Sequence, residues 1–172
     1  MRKIFPLILL LAVGNCAHAE LSDYLPEAKL KSGDAAMLNV GAGMTMKLVH
    51  INAEWVNPYG IAYTKLGAFM NGEHVFGGQL GFRYPTFLNG VDKNGFYVGM
   101  YGGHIKSRPA GKEGDKTQLG VGADLAYILL NKERISTFSI GMGAGKKVVS
   151  GDTTIFEGRP EFQASYSLSF GF

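Results

Sequence analysis

The segment "HIKSRPAGKEGD" (104–115) of this 172-residue chain groups the residues best suited to chemistry. His104 is a potential base, Ser107 a potential nucleophile, and Glu113 and Asp115 are acids that would orient the base. A spacing of three along a strand points two side chains to opposite faces, so the pair would meet only if the loop bent back. A structural role for His104 is the expectation. Metal chemistry has less support. His50, His74 and His104 are far apart in sequence, and none has a second histidine or an acid cluster at ligand spacing. Neither a metal nor a cofactor is expected. "GAGKK" (143–147) has the look of a phosphate loop, but Lys147 stands where Ser or Thr is required and Ile140 where the first glycine belongs.

Four charges share one setting. Lys47, Arg83, Asp124 and Glu161 each fall in phase with small or polar residues and out of phase with large apolar ones. "QLGVGADLAYILL" (118–130) puts Leu119, Val121, Ala123, Leu125, Tyr127 and Leu129 on one face. The other face takes Gln118, Gly120, Gly122, Asp124, Ala126 and Ile128. "STFSIGMGAG" (136–145), "FGGQLGFRY" (76–84) and "LNVGAGMTMKL" (38–48) repeat the form, and "EFQASYSLSFGF" (161–172) is its strictest example. Period-two alternation is the mark of β-strands, and helical periodicity is scarce.

Large apolar residues on one face and Gly, Ser, Gln and single charges on the other would make a poor core for a water-soluble barrel. The same pattern suits a barrel turned inside out, with apolar side chains toward lipid and small polar ones within. A bilayer demands that every backbone polar group be paired, which a closed sheet achieves without helices. The fold class expected is therefore all-β, an antiparallel up-and-down transmembrane β-barrel of eight strands.

The N-terminus points the same way. Arg2 and Lys3 precede the apolar run "IFPLILLLAV" (4–13), and "AHA" (17–19) has the small-x-small form of a cleavage site. Residues 1–19 read as a secretory signal. A rival reading makes Cys16 a lipid-anchored N-terminus, against which Asn15 stands where a small residue is usual. Removal of 1–19 takes the only cysteine, so no disulfide partner is expected. Removing Arg2 and Lys3 from the 17 basic residues leaves 15 against 14 acidic ones, no footprint for nucleic acid.

The terminal strand, with Phe162, Tyr166, Leu168, Phe170 and a final Phe172 on one face, resembles the C-terminal signature of bacterial outer-membrane β-barrel proteins. That resemblance implies recognition by the barrel-assembly machinery, contact with outer-membrane lipid and lipopolysaccharide, and an outer-membrane location. The size resembles the small eight-stranded members of the OmpX and OmpA-barrel kind. Some small barrels of this sort modify lipid A with a His and Ser two apart on a strand, a motif that His104 and Ser107 do not match.

Seven runs are legible, at about 37–50, 58–70, 74–86, 95–106, 116–130, 134–149 and 153–172, with turn residues at Asn71-Gly72, Asn89-Gly90, Asn94-Gly95 and 150–152. These make residues 37–172 the barrel, and 20–36 an N-terminal segment. An even count needs an eighth strand, expected within Tyr24 to Lys31 although Pro26 weakens it. The alternative is a short strand around Asn52 to Val56. Trp55, Tyr59, Tyr84, Phe87 and Phe96 lie near strand boundaries, where aromatic rings suit the lipid headgroup level. The narrow lumen of eight strands is expected to hold Lys47, Arg83, Asp124 and Glu161 as a mutually compensating charge network, with Tyr97 and Tyr101 as further filling. The functional expectation is a non-enzymatic envelope protein with a plugged lumen. The alternatives are a narrow channel and a lipid A-modifying enzyme.

Overall fold

A computed structural model of the chain describes residues 26–70, 75–89, 92–109, 115–150 and 153–172. The expected signal segment, Tyr24, His74, the Asn71-Gly72 and Asn89-Gly90 turns in whole or part, and Glu113 lie outside the described residues. Eight antiparallel strands close into a barrel: β1 (Leu38–Thr45), β2 (Leu48–Asn57), β3 (Gly60–Phe69), β4 (Phe76–Leu88), β5 (Gly95–Pro109), β6 (Asp115–Leu130), β7 (Arg134–Gly145) and β10 (Glu161–Gly171). Two short strands between β7 and β10, β8 (Val148–Ser150) and β9 (Thr153–Phe156), pair only with each other. Each barrel strand lies beside its neighbour in sequence, and β1 closes the ring against β10 from Asn39↔Gly171 to Thr45↔Ser165. No helix occurs among the described residues.

The barrel has two distinct ends. The near end holds the start of β1, the end of β10 and the turns after β2, β4 and β6. The far end holds the turn after β1, the last residues of β3 and β5, the first of β4 and β6, and the β8–β9 ribbon.

The eighth strand lies elsewhere than first expected. Residues 26–37 contain no strand; the run at 37–50 is instead a hairpin, and its second arm, β2, continues through 52–56 to Asn57. Met46 and Lys47 form the two-residue turn between the Thr45↔Leu48 pair. Met46 adopts a φ of 51°, a left-handed conformation that L side chains seldom take. With no Gly, Asn or Asp to announce it, this turn reads in sequence as uninterrupted strand. The terminal runs divide too. Lys146-Lys147 separates β7 from β8, and Gly158, Arg159 and Pro160 end the ribbon before β10.

Alternation sorts the side chains. Val40, Ile51, Leu80, Met100, Val121 and Phe138 are exposed on the outer surface, whereas Asn52, Lys65, Gln79, Arg83, Ser139 and Ser167 are buried in the lumen. The N-terminal segment crosses the near mouth. Leu30 and Ala35 are buried against Val56, Ile61, Tyr97, Ala126, Ile128 and Ile135, forming an apolar plug. The strap is held by Lys29 and Leu30 N–H donating to the Pro58 carbonyl at 2.9 and 3.0 Å, and by the Tyr84 hydroxyl donating to the Glu27 carbonyl at 3.2 Å.

Candidate functional site: the barrel lumen

β4 and β6 bring the two central charges together. Arg83 sits mid-strand on the inner face of β4 and is 1% exposed; Asp124 projects inward from β6. The guanidinium donates to Asp124 Oδ2 through Nη2 at 2.6 Å and through Nε at 3.2 Å, and Nη2 also donates to Ser139 Oγ at 3.1 Å. The Tyr63 ring lies 4.3 Å from the guanidinium carbon, adding a cation–π contact that survives desolvation. Gly99, on β5 between β4 and β6, makes the pairing possible: a Cβ there would collide with Asp124 Oδ1 and come within 2.8 Å of Arg83 Cγ.

Lys65 and Glu54 add a second, looser set of charges. Lys65 Nζ donates to Thr45 Oγ1 at 3.0 Å and Ser165 Oγ at 2.9 Å, and stands 5.2 Å from the Tyr63 ring centre. Glu54 Oε1 accepts from Asn52 Nδ2 at 3.2 Å, while the same Asn52 nitrogen donates to Ser169 Oγ at 2.7 Å. His50 Nε2 lies 3.1 Å from Thr45 Oγ1. The midsection thus holds two cations, Lys65 and Arg83, against two acids, Glu54 and Asp124, threaded by serine and amide side chains. Acids and bases in equal number suit a confined polar interior, although Asn52 Oδ1, Glu54 Oε2 and Asp124 Oδ1 are buried there without a hydrogen-bond partner. A cavity of about 10 Å³ remains among Lys65, Tyr101, Asp124 and Gln163, room for about one water molecule.

The four charges expected in the lumen are therefore separated. Arg83 and Asp124 meet. Lys47 is exposed in the β1–β2 turn, because the hairpin resets the alternation there. Glu161 lies at the far mouth, where Lys106 Nζ reaches its Oε1 at 2.5 Å. Lys65, Glu54 and His50 take the central places. In "HINAEWV" (50–56) the alternation of His, Asn and Glu with Ile, Ala and Trp is plain once that segment is read as its own strand. Tyr97 and Tyr101 face inward, at 0% and 6% exposure.

The other expected groups fall as follows. His104 and Ser107 are separated by a bulge in β5: His104 Nδ1 is 3.1 Å from the Gly78 backbone nitrogen on β4, and Ser107 is buried further along the strand. Among the described residues no group of three His, Cys or acidic side chains is arranged to hold a metal. Gly143 and Gly145 of "GAGKK" are inward-facing strand residues beside Tyr101, Ile105 and Gln118. Phe162, Tyr166 and Phe170 are exposed on the outer face of β10, Leu168 shares that face, and Phe172 follows it at 87% exposure. Trp55, Tyr59, Phe87 and Phe96 are exposed together at the near end, where Phe96 packs edge-on to Tyr127 at 5.1 Å.

No protein-family model matches the chain, and comparisons with the curated proteins and with the solved structures return no match either.

Proposed function

We propose that this chain is an integral outer-membrane β-barrel of the bacterial cell envelope, non-enzymatic, with a lumen closed by its own side chains. One observation carries the proposal: the barrel is inverted, with exposed Leu, Ile, Val, Met and Phe around its outside and charges buried inside. A continuous apolar belt is costly in water and is rarely tolerated by soluble monomers, whereas in a bilayer it faces hydrocarbon. The near-end cluster of Trp55, Tyr59, Phe87, Phe96 and Tyr127 supports a headgroup-level girdle at one boundary. The lipid A-modifying alternative lacks such support, since His104 Nδ1 is engaged with the Gly78 backbone on β4.

Ile140 tests the belt. It lies mid-strand in β7 and is 43% exposed. In water Ile140→Arg would change stability by no more than about 0.5 kcal/mol. At a bilayer midplane it costs about 2–4 kcal/mol. The expected result is a marked fall in the urea midpoint of protein folded into lipid vesicles, and weak recovery in the outer-membrane fraction. An unchanged midpoint, with the protein released by osmotic shock, would remove the membrane reading.

The terminal strand makes a separate prediction. Deletion of Phe172 should lower the amount of assembled, heat-modifiable protein in the outer membrane far more than Ser169→Ala does, since only the first alters the exposed aromatic edge. Equal levels by immunoblot would remove the assembly role from the terminus.

A further inference from the structure

The wall between β4 and β5 is incomplete at the far end. Their pairing stops at Gln79↔Gly103, yet β4 continues back to Phe76, paired only with β3. β5 continues to Pro109, paired only with β6. Side chains bridge the gap in place of the ladder: Gly78 N–H donates to His104 Nδ1 at 3.1 Å, and Gln79 Nε2 donates to the His104 carbonyl at 3.0 Å. At that level β5 carries a bulge, so consecutive residues both serve the mouth, Ile105 buried inside and Lys106 reaching across to Glu161.

A cavity lies on each side of this notch. Outside, a trough of about 670 Å³ has Gly78 and Gly102 in its floor, Leu66, Phe76 and Leu80 along its walls and His104 at its far end. Inside, a vestibule of about 420 Å³ is lined by Phe69, Ile105, Lys47, Lys106, Arg108 and Glu161. Among the described residues the vestibule thus sets Lys47, Lys106 and Arg108 against Glu161 above an apolar floor. The buried Gln163 also lines it, with Oε1 lacking a hydrogen-bond partner. The outer trough is almost wholly apolar, and in a bilayer an unfilled trough would forfeit dispersion contacts along its length.

We propose that the β4–β5 notch is a binding site for one anionic membrane lipid. Its acyl chain lies in the outer trough and its phosphate reaches past the far rim of the notch, beyond Phe76 and His104, to Lys47, Lys106 and Arg108. The proposal rests on the membrane reading above. Charge selects the headgroup: a zwitterionic lipid would bring an ammonium toward Lys47, Lys106 and Arg108. The trough selects a chain, because among the described residues its only polar side chains are Thr64, His104 and Gln79, the last of which is buried and turned to the His104 carbonyl.

The test uses tryptophan fluorescence of the full chain in vesicles, in a Trp55→Phe background. One reporter, Val121→Trp, stands beside the trough; another, Tyr166→Trp, lies on the opposite wall. Phosphatidylglycerol brominated on its acyl chain is diluted into unlabelled phosphatidylcholine. The Val121 reporter should be quenched about fivefold more effectively than the Tyr166 reporter, the enrichment expected from one basic group beside an anionic headgroup. Brominated phosphatidylcholine at the same dilution should show no such difference. Gly102→Leu should abolish the preference by filling the trough. A Cβ at Gly102 meets nothing closer than 3.8 Å, so the fold is not strained. Arg108→Gln combined with Lys47→Gln should remove it through the headgroup. Equal quenching of both reporters in inserted, heat-modifiable protein would overturn the lipid site while leaving the membrane reading intact. A preference that survives Gly102→Leu would overturn it as well. Absence of insertion would overturn both readings.

Discussion

Asp124→Ala is expected to cost the folded barrel about 3–5 kcal/mol, because it leaves the Arg83 guanidinium buried without its counter-charge. Arg83 is 1% exposed, and its remaining partners, Ser139 Oγ and the Tyr63 ring, carry no formal charge. Arg83→Met combined with Asp124→Leu should recover most of that loss, since an apolar pair of similar volume leaves no uncompensated charge. Glu161 supplies the control. Its partner is Lys106 at the far mouth, so Arg83→Ala and Glu161→Ala should be additive within about 0.5 kcal/mol. Urea midpoints in vesicles of the three single alanine variants, of these two double variants and of Arg83→Ala with Asp124→Ala measure all of this. Additivity of Arg83 with Asp124 would mean that the ion pair contributes nothing to the fold.

The second large effect concerns conduction. Two obstructions lie in series along the lumen: the charged midsection around Arg83 and Asp124, and the apolar plug in which Tyr97 and Ile128 are fully buried. Series obstructions predict a threshold. The unaltered protein should be silent in a planar bilayer. Tyr97→Ala with Ile128→Ala should also stay silent, because the midsection still blocks, and Arg83→Ser with Asp124→Ser should stay silent because the plug remains. All four changes together should give resolved current steps. Steady conductance from the unaltered protein would favour the narrow-channel alternative, and the polar midsection would then be its selectivity region.

What was legible in the sequence follows from what a two-residue period can encode. Where the alternation runs unbroken, as in 118–130, 136–145 and 161–172, each residue's face can be read directly. The same phase puts Arg83 and Asp124 on the inner face. Phase cannot survive an unmarked turn. Met46-Lys47 carries no turn-forming residue, so reading through it assigned Lys47 to the lumen and hid β2, and with it His50, Asn52 and Glu54. Lys65 carries its own signal, since the alternation of Ile61, Tyr63, Lys65, Gly67 and Phe69 places it inward. Partnership is harder still. Which acid meets Arg83 depends on the stagger between β4, β5 and β6, and period two carries no stagger. The β4–β5 notch and its two cavities are likewise products of register and of a bulge. The near-end plug draws on Leu30 and Ala35 from outside any strand, where no periodicity exists to read.

Ring closure between β1 and β10 brings the two ends of the barrel sequence side by side: Phe172 N–H donates to the Leu38 carbonyl at 3.1 Å. The order of strands around the barrel is therefore independent of where the chain is cut. A circular permutant, with Phe172 linked to the start of β1 and new termini at the Met46-Lys47 turn, would retain the strand neighbours of the parent. It would differ in one respect, that the aromatic strand would no longer be terminal. Its spontaneous folding into vesicles and its delivery in cells would then report separately on the strand as a wall of the barrel and on the strand as an address.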